Sequence, residues 1–419
     1  MKKKKILMIS DHALTTSGVA TQSRHLIEGL LKTNQYQVIQ LGAAVRHENY
    51  NIVKLSDDFL IKPIDGFGNK EMIRGLLISE KPDAILIFTD PRFFTYLFEM
   101  EDEIHQVCPI LYWHVWDNRP TPHFNKKYYD AVDTINCLSY LTYEMCKEIV
   151  PDKTYYIPHA IPQSIFYPLN EDEIAKNRQK LLGDEKKDWF VSLWANRNCR
   201  RKRPGDLIYS WKNFIDRLEK EEGHRKALLI CHTEPFDHEG QDLMYIARQL
   251  GIEDNIIYSR NKIGFNEMNI LHNIVDCYIN ISYAEGFGLG TLEAMQCGKP
   301  IIALTTGGQT RQIIDWRDNS LNGIMLPVEF ATYSGNQNAK QILEDFVSVE
   351  TIGKSLFDMY LLGVEGRKKL GQKARAYALF EFNYDDMIRN WANSINETIS
   401  NWKSKRENFE IVNLLGERI

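Results

Sequence analysis

Apolar runs of four to six residues recur along this chain, separated by longer stretches in which apolar positions return every three or four residues. The first run is KILMIS at 5–10, and it is followed by the loop DHALTTSGV and by a stretch carrying Leu26, Ile27, Leu30 and Leu31 on one helical face. Further runs are VIQLG (38–42), AILIFT (84–89), ILYWHV (110–115) and TINCLS (134–139). Strands alternating with helices predict a parallel sheet covered on both faces. The segment TYYIPHAIPQSIFYPL (154–169) carries three prolines and reads as an inter-domain linker, with His159 structural. After a charged helix, EDEIAKNRQKLLGDEKKD, the pattern begins again. Its runs are WFVSLWAN (189–196), ALLICH (227–232), NIIY (255–258), DCYINIS (276–282), PIIAL (300–304) and GIML (323–326). The helix after the first of them would bury Leu207, Ile208, Trp211, Phe214, Ile215 and Leu218. Residues 327–350 read as an insertion without assignable chemistry. The tail from Gly366 reads as helical, with Tyr377, Phe380, Phe382, Trp391 and Ile395 as its packing residues.

Length and composition fit two such domains. The chain has 419 residues, 43% hydrophobic and 26% charged, as in ordinary soluble proteins. The net charge of −5 gives no bulk attraction to nucleic acid or anionic membrane. The seven scattered cysteines contain no C-x-x-C, which argues against a zinc site and a disulfide framework. No stretch approaches the ~18 to 20 apolar residues of a membrane helix. The apolar run after the N-terminal lysines is too short for a signal peptide, so a reducing cytoplasm is expected.

The densest candidate chemistry lies in EGFGLGTLEAMQCGKP, from Glu285 to Pro300. A glycine run that opens a helix presents backbone N–H groups and the positive end of the helix dipole to an anion. Carboxylates beside a phosphate seat would repel it unless they bind something else, and ligand hydroxyls suit them. A molecule with phosphates in its middle and hydroxyl-rich groups at both ends is a nucleotide sugar. A second cluster, RNCRRKR at 197–203, places five cations in seven residues after the first strand of the second half. Taken alone it admits a nucleic-acid contact or a solvated loop.

SYAEGFGLGTLEAMQCGKPIIAL resembles the E-x7-E region of the family 4 retaining glycosyltransferases, the glycosyl transferases group 1. The resemblance implies an α/β GT-B fold: two Rossmann-like domains facing each other across a cleft, with a C-terminal helix crossing back. It implies an acceptor-side domain at 1–165 completed by a crossover helix at 376–419, and a nucleotide-sugar-binding domain at 166–375. By the same resemblance Glu293 would hold the ribose hydroxyls and Glu285 the sugar hydroxyls. Arg197 and Lys202, with the backbone around Gly286, Phe287, Gly288 and Leu289, would hold the diphosphate. Gly18 would approach the donor from the first domain, and His114 would position the sugar. Ser259 to Ile263 would surround the base. Arg200, Arg201 and Arg203 are left over, and Arg311-Gln312 stands where the family carries an acid after Gly307-Gly308.

The implied reaction moves a sugar from a nucleoside diphosphate donor, UDP- or GDP-linked, to an acceptor hydroxyl, with no metal or other cofactor. The acceptor could be a saccharide, a lipid-linked molecule, a protein or a modified nucleic-acid base. Competing readings are the same donor chemistry on a DNA base, a non-catalytic nucleotide-sugar-binding protein and a sugar-nucleotide epimerase.

Overall fold

The structure, a computed structural model, describes residues 2–406. The chain divides into two compact units. One contains 2–115, 121–159 and the described chain from 385; the other contains 116–120 and 160–384. The switches therefore fall at 159/160 and 384/385, where 165/166 and 375/376 were expected. The short excursion at 116–120 had no counterpart in the sequence reading.

The first unit is built on eight strands: β1 (Lys4–Asp11), β2 (Tyr36–Ala43), β3 (Val53–Ser56), β4 (Phe59–Pro63), β5 (Ala84–Phe88), β6 (Ile110–His114), β7 (Thr134–Cys137) and β8 (Thr154–Tyr156). Their order is β3-β4-β2-β1-β5-β6-β7-β8, parallel except for the edge strand β3. β3 and β4 are additions to the expected list, because VKLSDDFLIKP is too polar and broken to read as sheet. The first helix, Gly18–Lys32, starts on the Ser17 side chain, which accepts from the Ala20 amide, and buries Leu26, Ile27 and Leu30. Gly18 is its first residue and is exposed.

The second unit carries six parallel strands: β9 (Phe190–Ala195), β10 (Ala227–His232), β11 (Ile256–Ser259), β12 (Cys277–Asn280), β13 (Ile301–Leu304) and, after the two-residue pair β14 (Ile314–Asp315) and β15 (Ser320–Leu321), β16 (Gly323–Leu326). The order is β11-β10-β9-β12-β13-β16. The chain runs outward from β9 in one direction and then returns to build the other half from β12. The gap beyond the carboxyl ends of β9 and β12 is thus the topological switch point, where open α/β sheets bind ligands. The helix Pro204–Glu222 stands on this sheet through the six predicted apolar residues, all of them fully buried. Proline in its first turn and Gly223 at positive φ after its last delimit it.

Two expectations change here. The 327–350 stretch is an antiparallel hairpin, β17 (Phe330–Ser334) and β18 (Ile342–Phe346). The tail is two helices, Gly363–Glu381 in the second unit and Tyr384–Arg406 in the first, broken around Phe382 and Asn383. Tyr377, Phe382, Trp391 and Ile395 are buried as expected, but Phe380 is 53% exposed and lies under the Arg317 guanidinium. Residues 407–419 of the expected crossover helix lie outside the described residues. No helix among the described residues is long and apolar enough to cross a membrane.

His159 is buried in the first unit against Phe88 and Trp113. Burial, with His25 nearby, lowers its pKa from 6.5 to about 3. The unfolded chain therefore takes up this proton before the folded one does. Stability from this group is intact above pH 6.5 and falls as pH drops toward 3, by up to about 1.4 kcal/mol per pH unit. Denaturant unfolding of His159→Asn across pH 4–7 is expected to show a shallower acid slope than the parent; equal slopes would contradict the assignment.

Candidate active site

Two loops of the second unit meet at the switch point. The first leaves β9 and carries the cation cluster 197–203. The second leaves β12 and carries Tyr283 to Gly288, then opens the helix Leu289–Gln296. Gly288 caps that helix with φ +92, a left-handed conformation that side chains rarely adopt. The Thr291 and Leu292 amides bond back to the Gly288 carbonyl. The first-turn amides of Leu289 and Gly290 lie ahead of any intrahelical acceptor, which is the arrangement that attracts anions.

The loop after β13 fixes this turn from behind. A Cβ on Gly307 would lie 1.9 Å from the Glu285 carbonyl oxygen, so only glycine permits the approach. The Gly308 amide donates to that same oxygen at 2.9 Å. Gln312 is buried and donates its side-chain amide to the Phe287 carbonyl at 2.8 Å. Arg311 pairs with Glu381. The position where an acid was missing from the sequence pattern is therefore a backbone support.

Lys202 and Glu285 form a buried ion pair in the second unit, with side chains 10% and 11% exposed. Burial alone would raise the Glu285 carboxyl, but Lys202 and Arg201 beside it, with Asn280 donating, pull it down to about 2. The carboxylate is ionised throughout the neutral range. Burial lowers the Lys202 ammonium and Glu285 opposes that shift. Each charge thus supports the other in a place where either alone would be costly.

Glu293 faces another partner. It accepts from Nε2 of His272 at 3.0 Å, and His272 is fully buried beside Phe166 and Tyr278. His232, at the end of β10, shares Nδ1 with the Ser259 hydroxyl at 2.9 Å. Sequence reasoning missed His272, because a histidine inside an amphipathic helix carries no signal of its own. The two carboxylates of the glycine block are held by unlike groups, an ammonium at one and an imidazole at the other.

Three expected residues stand elsewhere. Arg197 is 51% exposed and is bound to Asp237 at 2.8 and 3.1 Å and to Glu239 at 2.9 Å, not to the Lys202–Glu285 pair. Gly18 belongs to the other unit. His114 is fully buried inside the first unit, with Nε2 2.8 Å from the Tyr129 hydroxyl and its ring 4.6 Å from that of Tyr112. Alternation along β6 turns Tyr112 and His114 to the face that holds Tyr129, and Trp113 to the face with Phe88 and Trp391. His114 is a buried residue of the first unit, held by Tyr129 and Tyr112. The residue after β6 that reaches the cation loop is Asp117, 3.6 Å from Arg201.

The hairpin occupies the flank of the site. Asp345 accepts from the Thr306 hydroxyl at 2.7 Å and its amide donates to the Tyr283 carbonyl at 2.9 Å. The Leu343 carbonyl accepts from the Asn118 side chain, and the Leu343 amide donates to the Arg119 carbonyl, each at 2.7 Å. Arg200 forks onto Glu344, while Arg203 pairs with Asp206 and donates to the Val347 carbonyl.

Residues 173–345, within the second unit, match the family described as glycosyl transferases group 1. A D-inositol 3-phosphate glycosyltransferase of Stackebrandtia nassauensis is 30% identical over 169 residues, 39% of this chain and 36% of that protein. The chain thus spans little more than a third of that relative's length. An uncharacterized glycosyltransferase of Methanocaldococcus jannaschii is 22% identical over 83% of this chain and 95% of its own. Among solved structures, Anabaena HepE in complex with UDP and glucose superposes with a TM-score of 0.68 at 14% identity, covering 94% of this chain and all of that one. The fold is GT-B, with two Rossmann-like α/β units.

Removing one member of the buried pair leaves the other uncompensated. Glu285→Gln and Lys202→Met are each expected to lower the unfolding free energy by about 3 to 5 kcal/mol. The double variant should cost clearly less than the sum, as read from denaturant unfolding in a double-mutant cycle. Additive costs would show that the two charges do not depend on each other.

Proposed function

We propose that this chain is a retaining glycosyltransferase of the family 4 type, moving a sugar from a nucleoside diphosphate sugar to an acceptor hydroxyl. The observation that carries this reading is the buried Lys202–Glu285 pair at the switch point, next to a glycine-opened helix that carries a second carboxylate eight residues on. A lone anion would need the cation and the amides but not the acids. A ligand with hydroxyl groups on both sides of its phosphates uses all of them.

In this reading the diphosphate lies against Lys202 and the first-turn amides after Gly288. Glu293, oriented by His272, accepts from the ribose hydroxyls, and Glu285 accepts from the sugar. As the glycosidic C–O bond breaks, negative charge grows on the departing diphosphate. The ammonium and the helix start are already aimed at it, so little reorganisation is needed. The same phosphate takes the proton from the acceptor hydroxyl on the face it leaves, which yields retention without a dedicated general base. Charge neutralisation is assigned to protein groups, with no metal ion. The reported complex of Anabaena HepE with UDP and glucose supports a nucleotide-sugar donor for a chain of this fold.

A thermal-shift panel of UDP-, GDP- and ADP-linked sugars tests the donor. A true donor at a hundred times its dissociation constant adds about 2.7 kcal/mol of stability. A panel without any shift would overturn the proposal. With a donor in hand, Glu285→Ala and Lys202→Ala should each reduce kcat/KM for transfer at least about a hundredfold. The product's anomeric configuration, read by NMR, should match that of the donor; inversion would refute the retaining mechanism.

A further inference from the structure

The cation cluster holds more arginines than the proposed reaction has used, and their placement separates them. Arg197 is committed to Asp237 and Glu239. Arg200 is forked onto Glu344 of the hairpin, over the ring of Tyr283. Arg203 is buried between Asp206, the Val347 carbonyl and the ring of Phe346. Arg201 alone among these four points at Glu285.

We infer that Arg201, and not Arg197, is the second cation of the diphosphate seat, with Asp117 as the residue that positions it. This rests on the nucleotide-sugar reading and deepens it. Arg201 is next to Lys202 in sequence, and its Nη1 lies 3.8 Å from Glu285 Oε1 and 3.6 Å from Asp117 Oδ2. It donates to the Ala284 carbonyl at 2.5 Å, and its own carbonyl accepts from the Tyr283 amide at 3.3 Å. The backbone of the cation loop is therefore tied to the approach of the glycine turn, and the guanidinium is carried to the same carboxylate that Lys202 holds.

The two carboxylate distances are decisive. Both lie beyond hydrogen-bonding range, so the charge is steered by Asp117 and Glu285 without being clamped by them. A planar guanidinium held in that way keeps N–H donors for two oxygens of a phosphate, the geometry that arginine recognises best. Arg197 already spends both edges of its fork on carboxylates. Two cations beside Glu285 and Asp117 also balance the local charge before any ligand arrives, and a diphosphate would take over that balance.

The test is calorimetric titration of the full chain with UDP, GDP and ADP, and with the matching nucleosides. If the parent chain binds none of the diphosphates, the nucleotide-sugar reading itself fails. With the best diphosphate as probe, Arg201→Gln should weaken binding about tenfold or more, and at least fivefold more than Arg197→Gln does. Nucleoside binding should stay within about twofold, which a general loss of structure would not allow. Arg201→Lys keeps the charge and should recover part of the loss, while Asp117→Asn should weaken diphosphate binding less than Arg201→Gln. An Arg197→Gln effect equal to or larger than that of Arg201→Gln would overturn the assignment, as would an Arg201→Gln loss shared by the nucleoside.

Discussion

A carboxylate and an ammonium are held out of water at the switch point of the second unit, and most of the surrounding structure is what makes that tolerable. Glu285 and Lys202 come from loops 83 residues apart, after β12 and β9. They meet because those two strands are adjacent in the sheet although they are distant in the chain. Desolvation works against both charges, and proximity offsets it. Asn280, Arg201 and the carbonyl of Ala284 then fill in around them.

The supports of this pair are largely backbone. Gly307 and Gly308 bring one loop against the carbonyls of Glu285 and Gly286, and Gln312 fastens the Phe287 carbonyl. The hairpin adds a second layer. Asp345 joins the ends of two loops, and the rings of Phe330, Phe346 and Tyr283 stack in sequence. A segment that reads as an insertion thereby buttresses the cation loop and the glycine turn at once. It also fixes residues 116–120, which brings Asp117 into the second unit.

Differences from the sequence expectations cluster where a side chain's direction mattered more than its position in the chain. His114 sits at the end of a strand, as read, but the pleat turns it toward Tyr129 in the core. Arg197 has the spacing of a phosphate ligand, yet Asp237, forty residues on, claims it. Spacing is a statement about the backbone. Which carboxylates each of two nearby arginines faces depends on partners that only folding supplies. His272 shows the converse, a residue without sequence signal that becomes part of the site because Glu293 is 3.0 Å away.

By itself the sequence determined the alternation of strands and helices, the two-unit α/β architecture and the glycine-opened helix between two acids. These follow from local periodicity and from backbone freedom, and both are written residue by residue. Tertiary structure alone decided which charges pair, which histidine is core, and what the 327–350 stretch does. Those outcomes depend on contacts between residues tens to hundreds of positions apart, where burial sets the cost of a charge and geometry sets its partner.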